Sequence, residues 1–329
     1  MKQRNLFLDH LRGTAILIVV LGHAIQVCFG SADNALHSVI QTFQMSLLFI
    51  ISGFSTGFSE PIKSEKQFLW SKVKRILLPY VIWSQLNYLL VAIINRNYSF
   101  LSQVKNLATS QFWFLRILFL MMLIYWLFVL LYRLLKKIPY RICRMMIAFV
   151  ICGASAVVMS RLPGCGALLN YIPFFLLGNL LYKISKKYAS KGYDRTAWIV
   201  TGVLTVVFAI SVVLFIKTEG IFQWMIDKTM ALSGSATCYF VCRLLYERPW
   251  LKKLTQVIAS IGKNTLPVYA IHWCIFFSIP LPLYATLAQT VGIYPASFFI
   301  ATVWTLLCVC LIWLLKKAKV TRLLLLGEK

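Results

Sequence analysis

Acidic residues are scarce in this chain: 9 Asp and Glu stand against 34 Lys and Arg in 329 residues, a formal net charge of +25. Long polar stretches are missing as well, so nothing is available to build a separate soluble domain. The 9 cysteines lie mostly inside apolar runs and lack CxxC spacing. That pattern excludes a disulfide framework or thiolate metal site and leaves buried packing as their expected role. No Walker loop, Rossmann glycine pattern or HExxH occurs, so the signatures of those phosphate, dinucleotide and zinc sites are absent. No internal repeat stands out, which weighs against a transporter assembled from inverted repeats.

What the chain does contain is apolar. Its hydrophobic fraction of 60%, aromatic fraction of 15% and mean hydropathy of +0.78 are those of an integral membrane protein. The periodic reading is all-α, one domain over 1–329, with a bundle of ten membrane-spanning helices. The expected spans are 13–30, 36–58, 76–95, 112–132, 145–160, 167–182, 197–216, 222–242, 265–283 and 294–315. Pro163-Gly164 separates the fifth from the sixth. Pro79, Pro173, Pro267, Pro280 and Pro282 fall in or near spans, where neighbouring helices can repair the lost backbone bonds.

The basic excess invites a nucleic-acid partner, and its distribution argues against one. Of the 34 Lys and Arg, 28 fall in the N-terminus, the alternate connections and the tail. Only Arg96, Lys105, Arg161 and Lys217 fall in the opposite connections. This asymmetry is the positive-inside rule, and it predicts that both termini are cytoplasmic. The N-terminus resembles a signal peptide in charge, but Gly22-His23 interrupts its apolar run and no small-x-small site follows. It is read as a retained first span.

Inside that first span lie Arg12 and His23. Eleven helical steps amount to three turns plus about 20°, so both side chains share one face, separated by a rise of roughly 16 Å. Asp9 is on the same stripe and can pair with Arg12. Ionisable groups within a span are costly and mark a site by default. An imidazole in a dry cavity suits a general base; its alternative is packing with a hydrogen bond across helices.

Other residues have weaker claims. Ser52-Gly53 forms a small-residue notch that admits another helix or a thin cofactor arm, and Gln44 is a candidate buried hydrogen-bonding group. Lys72-Val73-Lys74-Arg75 combines the topology signal with contact to anionic lipid, and Arg75 with Arg12 is expected to clamp phosphates through forked donors. Trp113 fits an interfacial belt; Arg116, one turn deeper, either snorkels outward or lines a polar cavity. Asp227 and Lys228 are neighbours in sequence, so each is expected to pair elsewhere. Asn264 or Thr265 is expected to cap the ninth span, where Tyr269 and His272 share a face. His10 and His37 are expected at the surface.

Together Asp9-x2-Arg12-Gly13, the spacing to His23, Phe49-x2-Ser52-Gly53-Phe54, Lys72-x2-Arg75-x3-Pro79 and Trp113-Phe114-Leu115 resemble the acyltransferase-3 family. Phe175-x2-Gly178 and Gly262-x-Asn264-x4-Tyr269-x2-His272 extend the resemblance over nearly the whole chain. It implies a bacterial inner-membrane O-acetyltransferase, fucose-O-acetylase-like, which moves acetyl from cytoplasmic acetyl-CoA to a hydroxyl of a surface polysaccharide or lipid-linked sugar. No metal is called for. Under it, His23 and His272 are catalytic; Arg12, Arg75, Lys72, Ser52 and Gly53 hold the donor; Trp113 and Tyr269 line the acceptor side. Arg116 departs from the family's pattern and is expected on the acceptor side from its own position; Asp33, in the loop after the first span, is the candidate carboxylate there and the candidate partner for His23. Membrane lipids are the other expected partner. The competing reading is a transporter or flippase for a lipid-linked glycan, using Arg116, Asp227 and Lys228 as a polar pathway.

Overall fold

Apolar sequence that crosses a bilayer must satisfy its backbone internally, and a helix does so within one segment. The computed structural model describes residues 5–29, 34–58, 64–188, 194–215, 220–278 and 281–328, and among them every regular element is helical. In chain order they are α1 (Leu6–Phe29), α2 (Ala35–Gly57), α3 (Glu65–Lys72), α4 (Leu78–Ile94) and α5 (Phe100–Thr109). Then follow α6 (Trp113–Leu134), α7 (Arg141–Ser160), α8 (Leu168–Tyr188), α9 (Asp194–Phe215) and α10 (Gly220–Tyr246). The last are α11 (Lys252–Gly262), α12 (Thr265–Ser278), α13 (Leu281–Val291), α14 (Ile293–Leu315) and α15 (Lys319–Leu326).

Among the described residues, 6 helices are long and apolar enough to cross a membrane: Leu6–Cys28, Ala35–Gly57, Glu65–Ile94, Trp113–Lys137, Arg141–Ser160 and Ile293–Leu315. The other four expected spans are also helical, as α8, α9, α10 and α12. Within the ninth expected span, α12 covers Thr265–Ser278 and α13 begins at Leu281; Pro280 lies outside the described residues.

Contacts group the chain into two compact units, Met1–Gly57 with Leu176–Leu311 and Phe58–Phe175 with Ile312–Lys329. In the first, α1 is central and packs on α2, α10, α11, α12 and α13. Its crossing with α11 is made by two glycines. A Cβ on Gly13 would run into the Ile258 carbonyl, and one on Gly262 into the Asp9 carbonyl and the Gly13 amide. Only residues without a side chain allow backbones this close. The same device recurs where Gly178 of α8 meets the backbone of α2 at Ile50 and Phe54.

In the second unit, α3 continues into α4 through a π turn, Val73–Leu77, which carries Lys74 and Arg75. Such turns interrupt the regular hydrogen-bond ladder and often lie near functional positions. Gly327, in the left-handed conformation at the end of α15, packs on the backbone of Lys74 and Arg75, and Trp83 donates to the Leu325 carbonyl at 2.9 Å. Glu65 is bonded by Arg133, which ties α3 to α6. α5 is a short amphipathic helix with no buried residue, too short for a span and absent from the expected list.

Candidate active site

Straight along α1, Asp9, Arg12 and His23 hold the stripe that their spacing demands. Arg12 donates through one nitrogen to Asp9 Oδ1 at 3.1 Å and through the other to Ser55 Oγ of α2 at 2.5 Å. Asp9 is buried and the guanidinium partly exposed. The pair therefore fixes a forked cation at one end of the helix and leaves part of it open.

Three turns further on, His23 lies against α12. Its ring centroid is 5.5 Å from that of His272 and 4.9 Å from that of Trp273, the latter edge-on. His23 Nδ1 is 3.4 Å from Gln26 Oε1, and an amide oxygen only accepts. In the tautomer that matches this oxygen, Nδ1 carries the hydrogen and Nε2 is the basic nitrogen. The same logic applies to His272, which is fully buried and whose Nδ1 donates to the Val268 carbonyl at 2.8 Å. Tyr269 packs edge-on to His272 at 5.9 Å. Two imidazoles in contact, each with its Nε2 as acceptor, can take protons from a ligand hydroxyl.

His37 is buried rather than at the surface. Its Nδ1 donates to the Gly22 carbonyl at 2.9 Å, and its Nε2 accepts from Gln41 Nε2 at 2.7 Å. Asn34 caps α2 by accepting from the His37 amide at 3.1 Å. His10 is buried too, beside Tyr246 of α10. Both histidines sit near helix ends, which made them look exposed; α10, distant in sequence, covers His10, and the preceding helix α1 covers His37. Sequence reasoning also missed Ser55, Gln26, Gln41 and Trp273. Gln26 at i+3 from His23 and Gln41 at i+4 from His37 were the available signals.

The remaining expected site residues divide as follows. Ser52 Oγ bonds back to the Leu48 carbonyl at 2.8 Å, Gly53 is buried, and the neighbouring backbone of α2 is approached by α8. Asn264 donates to the Ser260 carbonyl, and its own carbonyl accepts from Val268 N–H at the start of α12. In the second unit, Lys72 Nζ is 4.9 Å over the Phe68 ring, and Arg75 is exposed on the π turn. Trp113 stacks on Tyr171 at 5.6 Å. Arg116 donates to Tyr80 Oη at 3.1 Å and to the Gly164 carbonyl at 2.6 Å, joining α4 and α6 to the turn before α8. Asp33 lies outside the described residues.

Asp227 and Lys228 pair with each other, Oδ2 to Nζ at 3.1 Å, which corrects the expectation of separate partners. Adjacent side chains diverge on a helix, but a flexible lysine stem can fold back over the peptide between them. The cysteines are not uniformly buried: Cys143 and Cys310 are exposed. Among the described residues, no group of three His, Cys, Asp or Glu is placed to hold a metal ion.

The profile of a family described as "Acyltransferase domain", the acyltransferase-3 family, matches residues 5–314. The chain belongs to the acyltransferase-3 family. Its match covers both compact units and every residue of the α1 stripe. No curated protein and no solved structure matches the chain. Family and apolar helices together make it a multi-pass membrane acyltransferase.

Proposed function

We propose that this acyltransferase moves an acetyl group from cytoplasmic acetyl-CoA to a hydroxyl of a surface polysaccharide or lipid-linked sugar, in a bacterial inner membrane. One observation carries the reading: a single helix holds a forked, partly exposed cation and, three turns along, an imidazole with Nδ1 facing Gln26 and its ring against His272. The roughly 16 Å between them is similar to the length of an extended pantetheine arm.

In this mechanism Arg12 binds a CoA phosphate, with Asp9 and Ser55 holding the fork in place. The acceptor hydroxyl attacks the thioester carbonyl while His23 Nε2 takes its proton. The tetrahedral intermediate then collapses, the C–S bond breaks, and the departing thiolate receives that proton from His23. His272 packs on the His23 ring and supplies the second imidazole of the site. A covalent route, with acetyl carried on His23 and then passed to the hydroxyl, uses the same residues; direct transfer needs one step fewer. Lys72 at the end of α3 and Arg75 on the π turn that follows give the second unit its own basic stretch, suited to phosphate or anionic headgroups.

Against the flippase reading, Arg116 bonds Tyr80 and the Gly164 carbonyl, which gives it a role in joining helices, and Asp227 pairs with Lys228 on the same helix. The test of the enzyme reading is acetyl transfer in membranes by His23→Ala at matched expression. A loss of about 10²–10⁴-fold is expected for removal of a general base. Undiminished transfer would remove His23 from the chemistry.

A further inference from the structure

Three polar side chains on one face of α2 are not used by the mechanism above. His37, Gln41 and Gln44 recur at i, i+4 and i+7, the spacing of a single helical stripe. That stripe faces α1 at Gly22, the residue next to His23. His37 donates to the Gly22 carbonyl. A Cβ on Gly22 would stand 3.2 Å from Gln44 Oε1. Gln44 is only 6% exposed, and its Oε1 has no hydrogen-bond partner among the described residues. A buried amide oxygen left unsatisfied costs free energy that a ligand donor can recover.

Burial varies along the stripe. His37 is buried nearest the end of α2 that the charge distribution places outside, Gln41 is exposed one turn further in, and Gln44 is buried deeper still, against Gly22. His37 is uncharged in this arrangement, because its Nε2 accepts from Gln41 Nε2 and therefore carries no proton. Gln41 keeps an amide oxygen and a second N–H for a ligand. Fixed charge is scarce as well: between Gly13 and Phe58 the only ionised side chain in the sequence is Asp33, and 265–278 contain none. α10, which also packs on α2, carries Asp227 and Lys228, and these pair with each other. A carboxylate or phosphate on the acceptor would meet no cation on these segments that lacks its own counter-ion.

Building on the acyl-transfer reading, we propose that the α2 stripe is the acceptor subsite and that it selects an uncharged, hydroxyl-rich sugar. Gln41, exposed one turn in from the outer end, receives the sugar. Gln44 Oε1 accepts a hydrogen bond from the hydroxyl neighbouring the one that His23 deprotonates, and so orients the reacting oxygen.

The experiment measures CoA thiol release and product mass with purified protein and acetyl-CoA. The acceptor probes are methyl glycosides of glucose, galactose and mannose, set against methyl glycosides of glucuronic and galacturonic acid. Neutral glycosides are expected to accelerate release and gain acetyl, with the uronides at least tenfold poorer. Gln44→Met, which keeps side-chain volume, is expected to lower kcat/KM for the neutral acceptor about tenfold, the worth of one hydrogen bond, with slow acceptor-free hydrolysis of acetyl-CoA retained. Gln41→Ala, exposed and harmless to packing, is expected to raise acceptor KM about threefold with kcat kept. Uronides accepted as well as neutral glycosides, no acceleration by either class despite acetyl-CoA hydrolysis, or unchanged acceptor kinetics in both variants would each overturn the subsite. If the wild-type protein consumes no acetyl-CoA under any condition, the acyl-transfer reading fails first and the subsite goes with it.

Discussion

The site is built from few atoms, and each is constrained by chemistry that can be checked singly. Arg12 spans two acceptors on different helices, Asp9 at 3.1 Å and Ser55 at 2.5 Å. A lysine keeps the charge but not the planar fork. Arg12→Lys is therefore expected to raise the KM for acetyl-CoA several-fold with kcat and acceptor KM little changed, read from initial rates at varied donor and acceptor. A change confined to the acceptor would contradict the assignment of Arg12 to the donor. Much of this scale was legible in the sequence, because a rotation of 100° per residue places Asp9, Arg12 and His23 on one stripe without any tertiary information. What was not legible was cover. His10 and His37 sit near helix ends, yet α10 buries one and α1 the other. The partner of Asp227 was missed because lysine conformation, not helical phase, decided it.

Helices in this protein meet where side chains are missing. The α1–α11 crossing brings Gly13 and Gly262 together, and it is also what holds Asp9 and Arg12 in place. Gly262→Ala would put a methyl group against the Asp9 carbonyl and the Gly13 amide, atoms that cannot turn aside. Overpacking of this kind costs about 1–3 kcal/mol. The expected result is a lower melting temperature in detergent and weaker acetyl-CoA binding by the surviving protein, measured by thermal unfolding and donor titration. A variant as stable and as tight as wild type would show that the helices separate without consequence. The glycines were visible in the sequence as parts of motifs, but their partner across the bundle was not, since 249 positions separate them.

For the whole molecule, composition alone established a helical membrane protein, and the family profile over 5–314 agrees with it. The division into two compact units was not readable, because two of its three boundaries pass through the continuous helices α8 and α14 rather than through polar linkers. The acyl-transfer account requires a donor running along α1, phosphate toward Arg12 and thioester toward His23. The most direct measurement is an experimental structure of the full chain with a non-hydrolysable acetyl-CoA thioether bound. The account predicts a CoA phosphate within hydrogen-bond distance of the Arg12 guanidinium and the acetyl carbon within about 3–4 Å of His23 Nε2, or one water away. An acetyl group lodged elsewhere in the bundle, with His23 packed against protein on every side, would contradict it.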